Sequence, residues 1–407
     1  MSTAIYISGL GQSANKESVE KYAARYIKEL EYSTTGTCYY TKVEKVYYND
    51  DQSSLAVRIY AHPKKDNKSS GDKLIYTIYD FEYNELLNQN FQKKSILAKN
   101  IALLLLVIRK LPALIVSVFS TTTYHKRAQT FYMFLIFLAM SLAVLLIIPS
   151  FFGFIDGSNL AFFKNHLHND VLENLKKLRD ISIKMLPLTS LVIIFLPESN
   201  TLLSRVAAEF TTIDNYIQYG EQSQIIQGNL DALIEYIIEN EGKEGEQQRI
   251  HLHTYSFGSI IALDALFPIG NEPCDNIQSN VNLLITVGAP YEFIDNYYKN
   301  FYKERIDKMT SKIQWINVYS LMDAFASNFR NTNTRGEAEY GILNKKEIPI
   351  NINYEIARKN TYNLFSFLTL KHISMHKSYW DDSKSGQSCS RLIFNKMKEL
   401  GYWKQGS

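Results

Sequence analysis

The stretch from Ile250 to Pro268, IHLHTYSFGSIIALDALFP, offers the chain's clearest provision for nucleophilic chemistry. A strand-like run ends at Tyr255, Ser256 follows, and Phe257-Gly258 leads into small and apolar residues that read as a helix. A serine on a tight strand-to-helix turn holds its hydroxyl clear of the backbone. The helix N-terminus beneath it adds partial positive charge, which favours a developing oxyanion. Against the pattern G-x-S-x-G, the first position departs: Thr254 stands where glycine would, and its Cβ crowds the turn. A serine hydroxyl is a poor nucleophile until an imidazole takes its proton, and a buried carboxylate must hold that imidazole in one tautomer.

Three further segments give the serine its context. LLITVGAPYEF carries Gly288-Ala289-Pro290, WINVYSLMDAF covers Trp315–Phe325, and His376-Lys377-Ser378-Tyr379-Trp380 comes late. With these motifs after the elbow, the chain resembles the α/β-hydrolase family, in particular its lipase and esterase-like members. The resemblance covers Arg249–Asp382 and the first strand, with a long insertion between the two parts. It implies the order Ser…Asp…His, which falls on Ser256, Asp323 and His376 as the catalytic residues. Asp323 follows a strand end, where such a carboxylate projects towards the top of the sheet. The family's H-G-x loop after an early strand corresponds to Ser8-Gly9-Leu10, with serine in place of histidine. The resemblance thus assigns the oxyanion hole to the backbone N–H groups of Leu10 and Phe257. Asp295 and Asp307 are the rival acids, but they lie on a polar, helix-like stretch and read as solvated. His372 is the rival base, and the Tyr379-Trp380 context favours His376.

The remaining histidines read as structural or surface groups. His251 and His253 share one strand face, and His166-x-His168-x-Asp170 has the spacing of a metal-ligand triplet. Metal binding needs further ligands in convergent geometry, and neither set has an obvious one. No metal or organic cofactor is expected. Lys345-Lys346 reads as part of a solvated face.

The elements that must position this chemistry are mixed. Ala4–Ser8 reads as a strand. Val19, Tyr22, Ala23, Tyr26, Ile27 and Leu30 form the stripe of an amphipathic helix. Thr37–Tyr48, Ser54–Ala61 and Leu74–Tyr79 are β-rich. Downstream, helices at Gln224–Glu239 and Gly258–Leu266 alternate with strands at Ile250–Thr254, Val281–Thr286, Ile313–Val318 and near Ile350–Ile356. Such alternation predicts an α/β fold, an α/β-hydrolase-like and mostly parallel sheet flanked by helices.

Composition sets the outer limits. Of 407 residues, 46% are hydrophobic, which excludes a disordered chain. A net charge of +3 is too small to favour a nucleic-acid partner. Three scattered cysteines, with no CxxC pair, point away from a disulfide framework and towards a reducing compartment. No basic leader precedes the first strand, so no signal peptide is expected. Phe131–Ile155 carries no charge at all and exceeds the roughly 20 apolar residues that cross a bilayer. Ile181–Pro197 is a weaker span. Ile101–Phe119 has Arg109 and Lys110 at its centre, where each costs about 2.5–3.5 kcal/mol on insertion scales, and is expected in the interface plane. Both ends of the chain build one sheet, so the crossings must be even in number.

The expected organisation is therefore residues 1–95 and 201–407 as the two parts of one catalytic domain, with a membrane-helical insertion at 96–200. The chain is expected to be an integral membrane protein with its catalytic domain on the cytoplasmic side. The corresponding function is a membrane-anchored serine hydrolase of carboxylic esters, with a lipid or other acyl ester as substrate and the membrane as partner. A catalytically inactive binding or signalling module, or an acyltransferase or thioesterase with the same triad, is the alternative reading.

Overall fold

The computed structural model describes residues 2–10, 18–34, 36–63, 72–87, 211–218, 220–242, 248–270, 272–298, 300–303, 313–332, 334–342, 348–355, 375–380 and 388–403, with isolated positions between 105 and 116 and at 184, 305 and 309. The strands are β1 (Ser2–Ile7), β2 (Thr37–Asn49), β3 (Gln52–Pro63), β4 (Lys73–Asp80), β5 (Arg249–Tyr255), β6 (Val281–Val287), β7 (Gln314–Tyr319) and β8 (Ile350–Asn353). The helices are α1 (Val19–Ser33), α2 (Glu221–Glu241), α3 (Phe257–Leu266), α4 (Asp275–Asn280), α5 (Tyr291–Tyr297) and α6 (Cys389–Glu399). All eight strands form one sheet in the order β2-β3-β4-β1-β5-β6-β7-β8. The sheet is mixed: β4, β1, β5, β6, β7 and β8 run parallel, while β3 is antiparallel to both β2 and β4.

Strand alternation sorts the side chains between two layers. On one face Ala4 and Tyr6 of β1, Tyr255 of β5, Ile285 and Val287 of β6, and Ile316 and Val318 of β7 share a core with Val19, Tyr22, Tyr26 and Leu30 of α1. Ile393, Phe394 and Met397 of α6 complete it. Helix α1 starts on a Ser18 cap whose Oγ accepts from the Lys21 N–H, and its apolar stripe is the surface it buries. The opposite face carries α3, which touches β1, β5 and β6. Every residue of α3 except Asp264 is buried, as a helix apolar on all sides requires.

The chain divides into two compact units, one of Met1–Leu87, Thr122–Gln129 and Tyr216–Ser407, the other of Asn88–Thr121 and Thr130–Asn215. The whole sheet belongs to the first. Two expectations are corrected here. No helix among the described residues is long and apolar enough to cross a membrane, which overturns the membrane-helical insertion and the integral membrane placement. Segment 131–155, and 181–197 apart from the exposed Lys184, lie outside the described residues. Within 101–119 the described positions are helical, and their two cations face a carboxylate. Arg109 pairs with Asp214, and Lys110, itself buried, lies 3.5 Å from the same carboxylate. The carboxylate partner lies inside the same unit.

The core beneath α1 is unusually polar. Tyr76 Oη lies 2.7 Å from His251 Nδ1, and Tyr22 Oη lies 2.8 Å from His253 Nδ1. Burial, and then the neighbouring Arg249, drive His251 down to about 3. Burial and then His251 push His253 well below its ordinary value. Both rings are neutral in the folded chain and take up protons below about 6.5 when it unfolds. Asp80 works in the opposite sense, since burial and then Glu82 and Glu20 raise it to about 7. Two histidines outweigh one carboxyl. Stability should therefore be complete above pH 6.5 and fall towards pH 4.5 with a net slope of up to about 1.4 kcal/mol per pH unit. Urea midpoints measured across that window test this, and a midpoint that stays flat or rises on acidification contradicts it.

Candidate active site

The C-terminal ends of the central parallel strands lie level with one another. Ile7 of β1 pairs with Thr254, Tyr255 of β5 with Val287, and Val287 of β6 with Val318. The segments that follow these strands are Ser8-Gly9-Leu10, Ser256, Gly288-Ala289-Pro290 and Ser320–Asp323, so they emerge on one edge of the sheet. The chain leaves β1 towards β4 on one side and later returns to β5 on the other. A crevice at the strand ends belongs at such a reversal of direction.

Ser256 joins β5 to α3 with φ 52° and ψ −125°, a backbone conformation that side chains other than glycine rarely adopt. Its N–H donates to Val287 O at 2.8 Å, which carries the β5–β6 ladder through the turn. Its carbonyl accepts from Ser259 N–H at 3.0 Å. The side chain is thereby aimed out of the sheet. Gly258 lets α3 approach β1, since a Cβ there would fall 2.3 Å from Ile7 O and 2.7 Å from Ser8 O. Thr254 does not crowd the elbow. Its hydroxyl is buried, donating to Ile285 O and accepting from Ser259 Oγ, both at 2.9 Å. The departure from glycine at this position is accommodated because the side chain points beneath the helix.

The three residues expected to act together are brought together. Ser256 Oγ lies 2.7 Å from His376 Nε2, and His376 Nδ1 lies 2.8 Å from Asp323 Oδ2. These contacts span 120 and 53 residues of sequence. Asp323 is 1% exposed, and its other oxygen accepts from Phe325 N–H at 2.9 Å. His376 keeps an edge towards solvent, with its side chain 14% exposed. The Tyr255 ring stacks on it at 5.4 Å and the Phe325 ring meets it edge-on at 5.2 Å. Tyr255 also donates its hydroxyl to the His376 carbonyl, fixing the segment that carries the imidazole.

The two loops expected to supply the oxyanion donors both adjoin the serine. Phe257 is the first residue of α3, so its N–H has no acceptor within the helix. A Cβ added to Gly9, the residue before Leu10, would fall 2.8 Å from Ser256 Cβ, which places Gly9 against the nucleophile. Tyr83 fixes this loop by donating to Ser8 O at 2.7 Å. Ser8 Oγ accepts a long contact from Asn84 Nδ2 at 3.4 Å.

Tyr379 is the member that reasoning from the sequence used only as context. Its hydroxyl donates to Asp323 Oδ2 at 2.9 Å and accepts from Ser320 N–H at 3.0 Å. Burial first, then the Asp323 charge, hold this phenol well above its ordinary range, so it stays a donor. Its spacing, three residues after His376 on one turn, was the available signal. Tyr83 carried none, being 75 residues from the loop it fixes. Of the rivals, Asp295 lies on α5 away from the histidine's hydrogen bonds, while Asp307 and His372 lie outside the described residues. So do His166, His168, Asp170, Lys345 and Lys346. Among the described residues no cluster of acids, histidines or cysteines could hold a metal ion.

The elbow's tolerance is testable by a contrast of two glycines. Gly258→Ala forces a Cβ onto the β1 carbonyls and should cost at least about 2 kcal/mol of stability. Gly228→Ala, on the exposed side of α2 with nothing within 4 Å, should gain up to about 1 kcal/mol. Equal effects on the thermal midpoint would contradict the close approach. Compared with known protein families, curated proteins and solved structures, the chain matches none.

Proposed function

We propose that this chain is a serine hydrolase of the α/β-hydrolase family that cleaves carboxylic esters through an acyl-enzyme. The observation that carries the reading is the unbroken hydrogen-bonded line from Ser256 Oγ through His376 to Asp323, with the serine on a left-handed elbow. Such geometry is costly to maintain, of the order of 1–3 kcal/mol for the backbone alone, and is characteristic of sites that need it.

In this mechanism Ser256 Oγ bonds to the ester carbonyl carbon while its proton passes to His376 Nε2. The carbonyl oxygen takes the negative charge and is met by the Phe257 and Leu10 N–H groups. Asp323 stabilises the imidazolium without itself taking the proton. Collapse breaks the bond to the alkoxy group, which leaves with the proton from His376. Water then attacks the acyl carbon, gives its proton to His376, and releases the acid as the proton returns to Ser256. Each group's position matters because effective molarity falls steeply with misalignment. The argument for a lipid substrate rested on membrane helices and falls with them, so the substrate class is carboxylic esters in general.

Turnover of a series of p-nitrophenyl acyl esters tests the reading. Ser256→Ala and His376→Ala should each lower kcat by at least about a thousandfold, and Asp323→Asn by about ten-thousandfold. Tyr379→Phe should cost far less, about tenfold, since it removes one hydrogen bond to the carboxylate. Hydrolysis that survives Ser256→Ala unchanged contradicts the proposal.

A further inference from the structure

The longest strand among the described residues is also the most open. Strand β2 closes one end of the sheet, and among the described residues only β3 pairs with it. Thr41 to Lys45 are all exposed, so both faces of the strand's middle meet solvent. Val43 is 48% exposed and Tyr47 is 64% exposed. An open edge of this length, roughly 44 Å at 3.4 Å per residue, is a template for another strand unless charge blunts it. The charges on β2 are of both signs, and their order selects the partner.

We propose that β2 pairs with β2 of a second copy of this chain, antiparallel about a two-fold axis through Val43. A two-fold axis normal to the sheet returns each strand face to its own side, so it must pass through a residue. Axes through Lys42, Glu44 or Lys45 set that charge directly against its own copy, which is destabilising. The axis through Thr41 opposes no like charges, but it sets Glu44 against Cys38 and Lys42 against Tyr40, so no charge meets its opposite. The axis through Val43 pairs residues 39–47, the run that ends at the β-bulge between Tyr47 and Asn49. It sets Lys42 against Glu44 of the other copy twice, Val43 against Val43, Tyr40 against Val46, and Tyr39 against the exposed Tyr47.

The two charged side chains are available for this. Glu44 is 61% exposed and touches Arg58 only at 3.4 Å, while Arg58 is held more closely by Glu241 at 2.7 Å. Lys42 Nζ lies over the Tyr60 ring at 5.0 Å on the outer part of the sheet. Backbone pairing along the new edge supplies the affinity, and the paired charges supply the register. The result is one continuous sheet across two copies, with each Ser256 elbow left at its own strand ends.

Sedimentation velocity on the full chain over about a hundredfold range of concentration tests the proposal. The wild type should dimerise reversibly. Lys42→Glu and Glu44→Lys alone should each weaken dimerisation about tenfold or more, since each creates two like-charge contacts per dimer. The double change Lys42→Glu with Glu44→Lys should restore it. Far-UV circular dichroism and melting establish that each variant is folded. A wild type monomeric at every concentration overturns the proposal, as does a dimer indifferent to both single changes. A double variant that stays monomeric while both singles dissociate overturns the Val43 register.

Discussion

The backbone of Ser256 is forced into a left-handed turn, and much of the surrounding structure exists to permit it. A non-glycine residue at φ 52° is held there only because its neighbours leave no easier conformation. The β5–β6 ladder fixes the serine's N–H, α3 begins at the next residue, and Gly258 seats that helix against β1. Gly9 adjoins the serine with no side chain to collide with the elbow. One strained position thus links the first strand, the nucleophile strand and the helix between the sheet and its cover.

The second constraint is distance along the chain. Serine and aspartate come from the turns beyond two neighbouring strands, β5 and β7, and the histidine from a later segment that reaches the same sheet edge. The register from β1 to β7 supplies that edge. Tyrosines then finish the work of alignment: Tyr379 on the carboxylate, Tyr255 on the histidine's backbone and Tyr83 on the Ser8 loop. Behind the site the same residue type serves a different end, as Tyr22 and Tyr76 bond His253 and His251 inside a core that water does not reach. Burial keeps the imidazoles uncharged, and the tyrosine hydroxyls give their ring nitrogens hydrogen-bond partners.

How much of this could be read in advance follows from the range of each signal. The stripe Val19, Tyr22, Ala23, Tyr26 and Leu30 is local, and α1 buries those side chains. The elbow was legible because its strand, serine, glycine and helix are consecutive. Asp323 and His376 were reached through the family resemblance, since nothing in their spacing from Ser256 fixes a hydrogen bond. Leu10 was assigned in the same way. The antiparallel turn-back of β2 and β3 at the sheet's edge was missed as topology, because alternation reports strands and not their direction. The apolar middle of the chain misled most. Hydropathy registers the absence of charge, but it does not see Asp214 waiting for Arg109 and Lys110 about a hundred residues later. Tyr83 and Thr254 show the same limit on a smaller scale, since a side chain's partner decides its role.

The central claim is that Ser256 is an activated nucleophile and not a turn serine in a retained fold. Labelling with a fluorophosphonate, followed by peptide mapping of the modified site, addresses it most directly, because phosphonylation requires the serine hydroxyl to be activated by its base. The account predicts a single adduct on Ser256 that is lost when His376 is replaced. A folded chain that takes up no label, or takes it up on another residue, would contradict it.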